Sequence, residues 1–190
     1  IRNLRKILTS KPNVSVISAN GATEALINSG IYPDIVVTDL DGNFKAILEA
    51  ALNGAIIVLH AHGDNILNLR KYLDKLLPYS IYTTQLEPVG CLENFGGFTD
   101  GDRAVFLALK YGALRVFLVA MDFGEVVGKY SKPWLKGNVE VWEFKRKKFK
   151  IARTFLAKYA STTVFTVGKS KIEGVNIKHL NYSEVENIIQ

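Results

Sequence analysis

A chain of 190 residues, 48% hydrophobic and 22% charged, can bury a substantial core and is too apolar to be largely disordered. Its formal charge of +6 leaves nucleic acid, a membrane surface or a phosphate-rich ligand open as partners. The one cysteine, Cys91, excludes an internal disulfide among these residues, and no apolar run nears the ~20 residues of a membrane span.

One compact domain over 1–190 is the expectation, in a reducing cytoplasm and without membrane contact, and nothing within these residues resembles a signal peptide. The first residue is Ile rather than Met, so a natural start is expected ahead of it. Residues 14–18 are rich in β-formers and residues 22–28 have helical character, joined by the small residues Ala19, Asn20, Gly21 and Ala22. Such a turn leaves room for a ligand to approach the backbone. Next comes PDIVVTDLDG (33–42), an apolar run bounded by Pro33 and by Asp41-Gly42, suited to a buried parallel strand. A helix over 44–52 stops at Asn53-Gly54, and a second apolar run, 55–59, leads into HAHGDN (60–65). Residues 66–77 repeat apolar positions at helical intervals until Pro78.

Residues 80–84 read as a strand and 87–98 as a glycine-bearing loop. Thr99-Asp100-Gly101-Asp102 then opens a helix with Val105, Phe106, Leu107 and Leu109 on its apolar side, ended by Gly112. Residues 114–120 supply another apolar strand, followed by a loop over 122–133. The basic run Lys145, Arg146, Lys147, Lys148, Lys150 has Phe149, Ala152, Leu156 and Tyr159 opposite it at helical spacing, so it reads as the wet face of an amphipathic helix. Strands near 163–167 and 175–179, and a helix capped by Ser183, complete the chain. Strands alternating with helices give an α/β class: a mainly parallel, Rossmann-like sheet flanked by helices.

Chemistry-bearing residues follow the apolar runs. Asp39 and Asp41, two apart on extended chain, can face one point at a strand's carboxyl end, where open α/β sheets bind ligands. His62 and Asp64, Asp100 and Asp102, and Asp122 hold comparable places in the pattern. Carboxylates gathered at one edge repel, by roughly 4 kcal/mol per pair at 4 Å and an effective dielectric of about 20, unless a cation such as magnesium neutralises them. The bland alternatives are a turn at Asp41-Gly42 and a helix cap at Thr99 or Asp100. His60 and His62 lack the spacing and the nearby Cys of a zinc site, so His62 is expected to bond within its loop or touch a phosphate. Gly168-Lys169-Ser170 fails as a P-loop because Thr163 stands where its first glycine is needed. Neither a dinucleotide glycine fingerprint nor a nucleophile elbow is present.

Taken together and in order, PDIVVTDLDG, HAHGDN and GGFTDGDRA (96–104) resemble the archaeal MptE-like 6-hydroxymethyl-7,8-dihydropterin pyrophosphokinases, over roughly 14–131. Their catalytic fold is similar to that of thiamin pyrophosphokinase. That enzyme usually carries Gly-Asp-x-Asp-Ser where this chain has Thr38-Asp39-Leu40-Asp41-Gly42, a departure that favours the pterin enzyme. The resemblance implies magnesium-dependent transfer of diphosphate from ATP to the hydroxymethyl group of a reduced pterin, with release of AMP. It implies Asp39, Asp41 and Asp102 as catalytic residues. Asp39, Asp41, Asp64, Asp100 and Asp102 become candidate magnesium ligands. Thr99, Lys129, Ser131 and Lys132 become candidate phosphate contacts, and Asn20, His62 and Asn65 candidate substrate contacts. Which group accepts the hydroxyl proton stays open, as does a homodimer. Alternatives are a thiamin diphosphokinase, a nucleotide- or sugar-nucleotide-binding module, and a nucleic-acid binder acting through the basic helix. The last lacks aromatic stacking platforms beside the basic run.

Overall fold

The computed structural model describes residues 2–10, 13–159, 163–169, 171–172 and 174–189; Ser170 and the side chain of Tyr159 lie outside the described residues. In chain order the elements are α1 (Arg2–Ser10), β1 (Ile17–Ala19), α2 (Ala22–Ile27), β2 (Ile35–Thr38), α3 (Phe44–Leu52), β3 (Ile56–Ala61), α4 (Ile66–Leu76) and β4 (Ser80–Thr84). They continue with α5 (Asp100–Lys110), β5 (Val116–Val119), a small ribbon of β6 (Val126–Val127) and β7 (Val139–Glu140), α6 (Glu143–Tyr159), β8 (Val164–Val167), β9 (Lys178–Leu180) and α7 (Tyr182–Ile188). No described helix is long and apolar enough to cross a membrane. The chain gathers into two compact units, one of Ser15–Gly96 with Val127–Val139, the other of Ile1–Val14, Gly97–Val126 and Glu140–Gln190.

The first of these holds a four-stranded sheet, β1-β2-β3-β4, parallel throughout. Val36, Val37, Ile57, Val58 and Leu59 are all at most 2% exposed, as expected of strands covered on both faces. Ile47, Ala50 and Ala51 of α3 and Leu76 of α4 complete that core. The sheet's ladder explains why β1 starts at Ile17 rather than at residue 14. Its partner is entered through Pro33-Asp34, and the Val16 N–H is taken by the Asp34 carboxylate at 2.6 Å, so regular pairing begins only at Ile17 with Ile35.

The other unit has a parallel sheet of order β5-β8-β9. One core joins Val105 of α5, Leu118 of β5, Ala152 and Leu156 of α6 and Val164 of β8. A second joins Ile7, Val167, Leu180 and Val185. Ahead of residue 14, α1 forms with Leu4, Ile7 and Leu8 at helical spacing, and Ile7 is buried. The basic run is the wet face of α6: Arg146 bonds the Glu125 carboxylate at 2.5 Å and Lys147 reaches Glu143 one turn away at 2.7 Å. Two expectations change. The strand near residue 175 is confined to Lys178–Leu180, because Ile177 N–H donates back to the Val175 carbonyl and breaks the ladder. The cap of α7 is Asn181, whose side-chain Oδ1 accepts from Glu184 N–H at 2.9 Å and from the Ser183 hydroxyl at 2.6 Å.

Leu156 is wholly buried between α5, α6 and β8, so Leu156→Ala leaves a cavity. Equilibrium denaturation should show a loss of about 2–5 kcal/mol, whereas Lys147→Ala, at an exposed ion pair, should change stability by less than about 0.5 kcal/mol.

Candidate active site

Because β1, β2 and β3 are parallel neighbours, the segments that follow them share one edge of their sheet. Asn20 follows β1, Asp39 and Asp41 follow β2, and His62 and Asn65 follow β3. Asn20 is at the centre. Its side-chain N–H2 donates to Asp39 Oδ1 at 3.1 Å and to Asp41 Oδ1 at 2.5 Å, while its Oδ1 accepts the hydroxyl of buried Thr38 at 3.1 Å. Both carboxylates converge on one amide, as expected, but across a left-handed residue rather than along extended chain. The chain turns sharply to do so: Asn20 has φ 45° and Leu40 φ 66°, both left-handed. Leu40 is held there by its N–H on the Thr38 hydroxyl and by burial of its side chain at 2% exposure. Gly42 is needed because a Cβ would sit 2.3 Å from Asn20 Oδ1.

On the other side, His62 Nε2 lies 3.4 Å from Asp39 Oδ2. Asn65, 4% exposed, donates to the Asp39 carbonyl at 3.0 Å and to the His60 carbonyl at 2.6 Å, and accepts His62 N–H at 3.2 Å. Asn65 thus pins the third loop to the second. His60 is buried and bonded to the Thr83 hydroxyl at 3.0 Å, a core role. Asp64 stands exposed on its loop.

A distant segment completes the cluster. The Lys132 ammonium bonds the Asp41 carboxylate, across 91 residues of chain. Next to it, Tyr130 presents its carbonyl to Gly21 so closely that a Cβ on Gly21 would fall 1.7 Å from the oxygen. The space at this turn, expected to admit a ligand, is therefore filled by the 129–132 backbone. Ser131 N–H closes a turn onto the Gly128 carbonyl, and exposed Lys129 donates its N–H to Asn138 Oδ1 at 3.0 Å. The Lys132–Asp41 pairing and the Gly21–Tyr130 contact carry no local signal in sequence, since the partners lie about a hundred residues apart.

The donor set suits a magnesium ion. Two hard carboxylates on one rim, with open water beside a partly exposed Asp41, match the usual magnesium arrangement of one or two carboxylates completed by water and phosphate oxygens. The positive charge that the chain itself places at this rim is the Lys132 ammonium on Asp41. Among the described residues no three His, Cys, Asp or Glu side chains form a ready metal cage, so most coordination would come from water and substrate.

In the other unit, Thr99, Asp100 and Asp102 open α5. Asp102 is fully buried and accepts Phe98 N–H at 2.6 Å, Thr99 N–H at 2.7 Å and the Thr99 hydroxyl, forming a capping box. Burial pushes its carboxyl above the ordinary range, against the opposing pull of those hydrogen bonds. Gly97, at φ 83°, lets the chain pass over the helix start, where a Cβ would lie 2.8 Å from Arg103 N. Asp100 sits at the first turn, partly exposed, and Asp122 accepts Gly124 N–H at 3.2 Å in a local turn.

A sequence model described as 6-hydroxymethylpterin diphosphokinase MptE-like matches residues 1–128. Three curated proteins, each named 6-hydroxymethyl-7,8-dihydropterin pyrophosphokinase, are similar to this chain. That of Methanothermobacter thermautotrophicus is 56% identical over 69% of the chain and 56% of its own length. The Pyrococcus furiosus protein is 51% identical over 74% of the chain and 59% of its own length. The Methanocaldococcus jannaschii protein is 41% identical over 82% of the chain and 66% of its own length. The matched region thus spans between roughly half and two thirds of these relatives.

Gly21→Ala should push residues 129–132 off the rim, because backbone atoms cannot yield to a Cβ; amide exchange in that segment should rise at least tenfold, and unchanged protection would contradict the packing. For Asp102 the sign follows from its raised value: the folded state holds the proton more tightly than the unfolded chain, so this group favours folding at low pH. That contribution is lost as pH rises from the ordinary carboxylate value through the raised one. Carboxyl carbon NMR should place the Asp102 midpoint above the ordinary carboxylate range; a midpoint within or below that range would contradict it.

Proposed function

We propose, from the premise that this chain belongs to the MptE-like family of 6-hydroxymethylpterin diphosphokinases, that it transfers diphosphate from ATP to the hydroxymethyl group of 6-hydroxymethyl-7,8-dihydropterin. The products are AMP and the pterin diphosphate. The acceptor oxygen forms a bond to the β-phosphorus, the bond from that phosphorus to the α,β-bridging oxygen breaks, and the hydroxyl proton leaves to a base or to water. The single observation that supports this most is the convergence of Asp39 and Asp41 on one rim with Lys132 beside them.

When bound there, magnesium would neutralise charge spreading over the phosphate oxygens and hold the reacting groups in line. Asp39 and Asp41 are the residues that would hold it. Asn20 fixes both carboxylates before any ligand arrives, so their orientation is already set when substrate binds. Lys132 supplies a mobile positive charge to the diphosphate, with Lys129 and Ser131 on the same segment as further phosphate contacts. Asn65 keeps the third loop in register with Asp39, and His62, whose Nε2 lies 3.4 Å from Asp39 Oδ2, is assigned with it to substrate contact. Asp102 is a support in this reading: its cap holds Thr99 and Asp100 at the first turn of α5. Asp64, on the loop after β3, is proposed as a ligand through water.

Phosphorus NMR of the protein with ATP, magnesium and the dihydropterin should show AMP and a pterin diphosphate, with no ADP, and no transfer to thiamin as control acceptor. Asp39→Asn and Asp41→Asn should each lower the rate by about 10²–10³-fold, the scale expected when one strong electrostatic contribution to a transition state is removed. Undiminished turnover in either, with the fold intact by circular dichroism, would contradict the assignment.

A further inference from the structure

We infer that Trp134 is the stacking platform for the pterin ring, an assignment that rests on the diphosphokinase reading above. Trp134 is the third residue of a tight turn, Lys132-Pro133-Trp134-Leu135, closed by Leu135 N–H on the Lys132 carbonyl at 3.1 Å. Proline at the second position fixes that turn's backbone. Its first residue, Lys132, grips Asp41, and the same ammonium lies 5.8 Å from the centre of the Trp134 ring. The indole therefore stands one ammonium away from the carboxylate pair. Tyr130 against Gly21 and Lys129 on Asn138 tie down the chain leading into the turn, so the ring is presented from a supported backbone.

Despite that support, the indole is 67% exposed. A large flat apolar surface left in water, on a braced turn beside the charged rim, is what a stacking partner requires. The link between ring and reacting atom selects the partner. In the pterin the reacting oxygen is one carbon from the fused ring. When that oxygen is at the phosphate held by Asp41 and Lys132, the ring must lie within a few bond lengths. In ATP a ribose and the α-phosphate separate adenine from the β-phosphorus. Proximity of Trp134 to Lys132 and Asp41 therefore favours the acceptor's ring.

The chain has two tryptophans, Trp134 and Trp142, so Trp142→Phe leaves Trp134 as the only indole reporter. In that protein, 6-hydroxymethyl-7,8-dihydropterin under anaerobic conditions should quench tryptophan emission saturably, and α,β-methylene ATP alone should leave it unchanged. Trp134→Ala in the natural background should raise the KM for the pterin about tenfold, in line with the loss of one stacked ring, with the KM for ATP within twofold. Trp134→Phe should restore most of the loss. Equilibrium dialysis separates the two levels of the claim. Pterin bound in dialysis without any change in Trp134 emission overturns the platform and leaves the diphosphokinase reading standing. Quenching by the nucleotide analogue instead overturns it in favour of adenine. No pterin bound at all overturns both.

Discussion

Like charges do not share a rim without compensation. Asp39 and Asp41 are brought over the same Asn20 amide, and two carboxylates at that range repel by an amount on the order of 3–4 kcal/mol at an effective dielectric of about 20. The structure around them consists of answers to that repulsion: the Asn20 amide as a shared donor, the Lys132 ammonium on Asp41, and His62 beside Asp39. None of these removes the need for positive charge when a diphosphate, itself anionic, is added. That deficit is the physical reason for reading the rim as a place where cation and nucleotide arrive together.

The rim is stiff where it must be. Left-handed backbone at Asn20 and Leu40 costs on the order of 1 kcal/mol or more each, and here both positions are over-determined by hydrogen bonds and burial. Gly21 and Gly42 are forced by close approach of the Tyr130 carbonyl and the Asn20 side chain, so the motif's small residues serve packing as much as chain reversal. The other unit solves a separate problem in the same currency. Asp102 gives up both oxygens to the start of α5, which makes it a support for Thr99 and Asp100.

Much of the fold was legible because it rests on local pattern. β2 and β3 are unbroken apolar runs ended by polar residues, and α3, α4 and α5 carry clear helical spacing with recognisable stops. The parallel pairing followed from the alternation of strand and helix. What was misplaced depended on partners. β1 starts late because Asp34 intercepts Val16, β9 starts late because of a turn at Val175 and Ile177, and α7 is capped by Asn181 rather than Ser183. In the site, the Asp39 and Asp41 pair and the flanking Asn20, His62 and Asn65 were visible as strand-end polar residues. The reach of Lys132 to Asp41 and of Tyr130 to Gly21 was not, because it joins segments about a hundred residues apart.

The proposed hold of the Asp39 and Asp41 carboxylates on a divalent cation is a property separable from turnover. Manganese, as a paramagnetic stand-in for magnesium, can be titrated into the protein with α,β-methylene ATP and followed by electron paramagnetic resonance. Binding should be saturable and should weaken at least tenfold in Asp39→Asn and in Asp41→Asn. Binding of equal strength in both variants and the natural protein would contradict it.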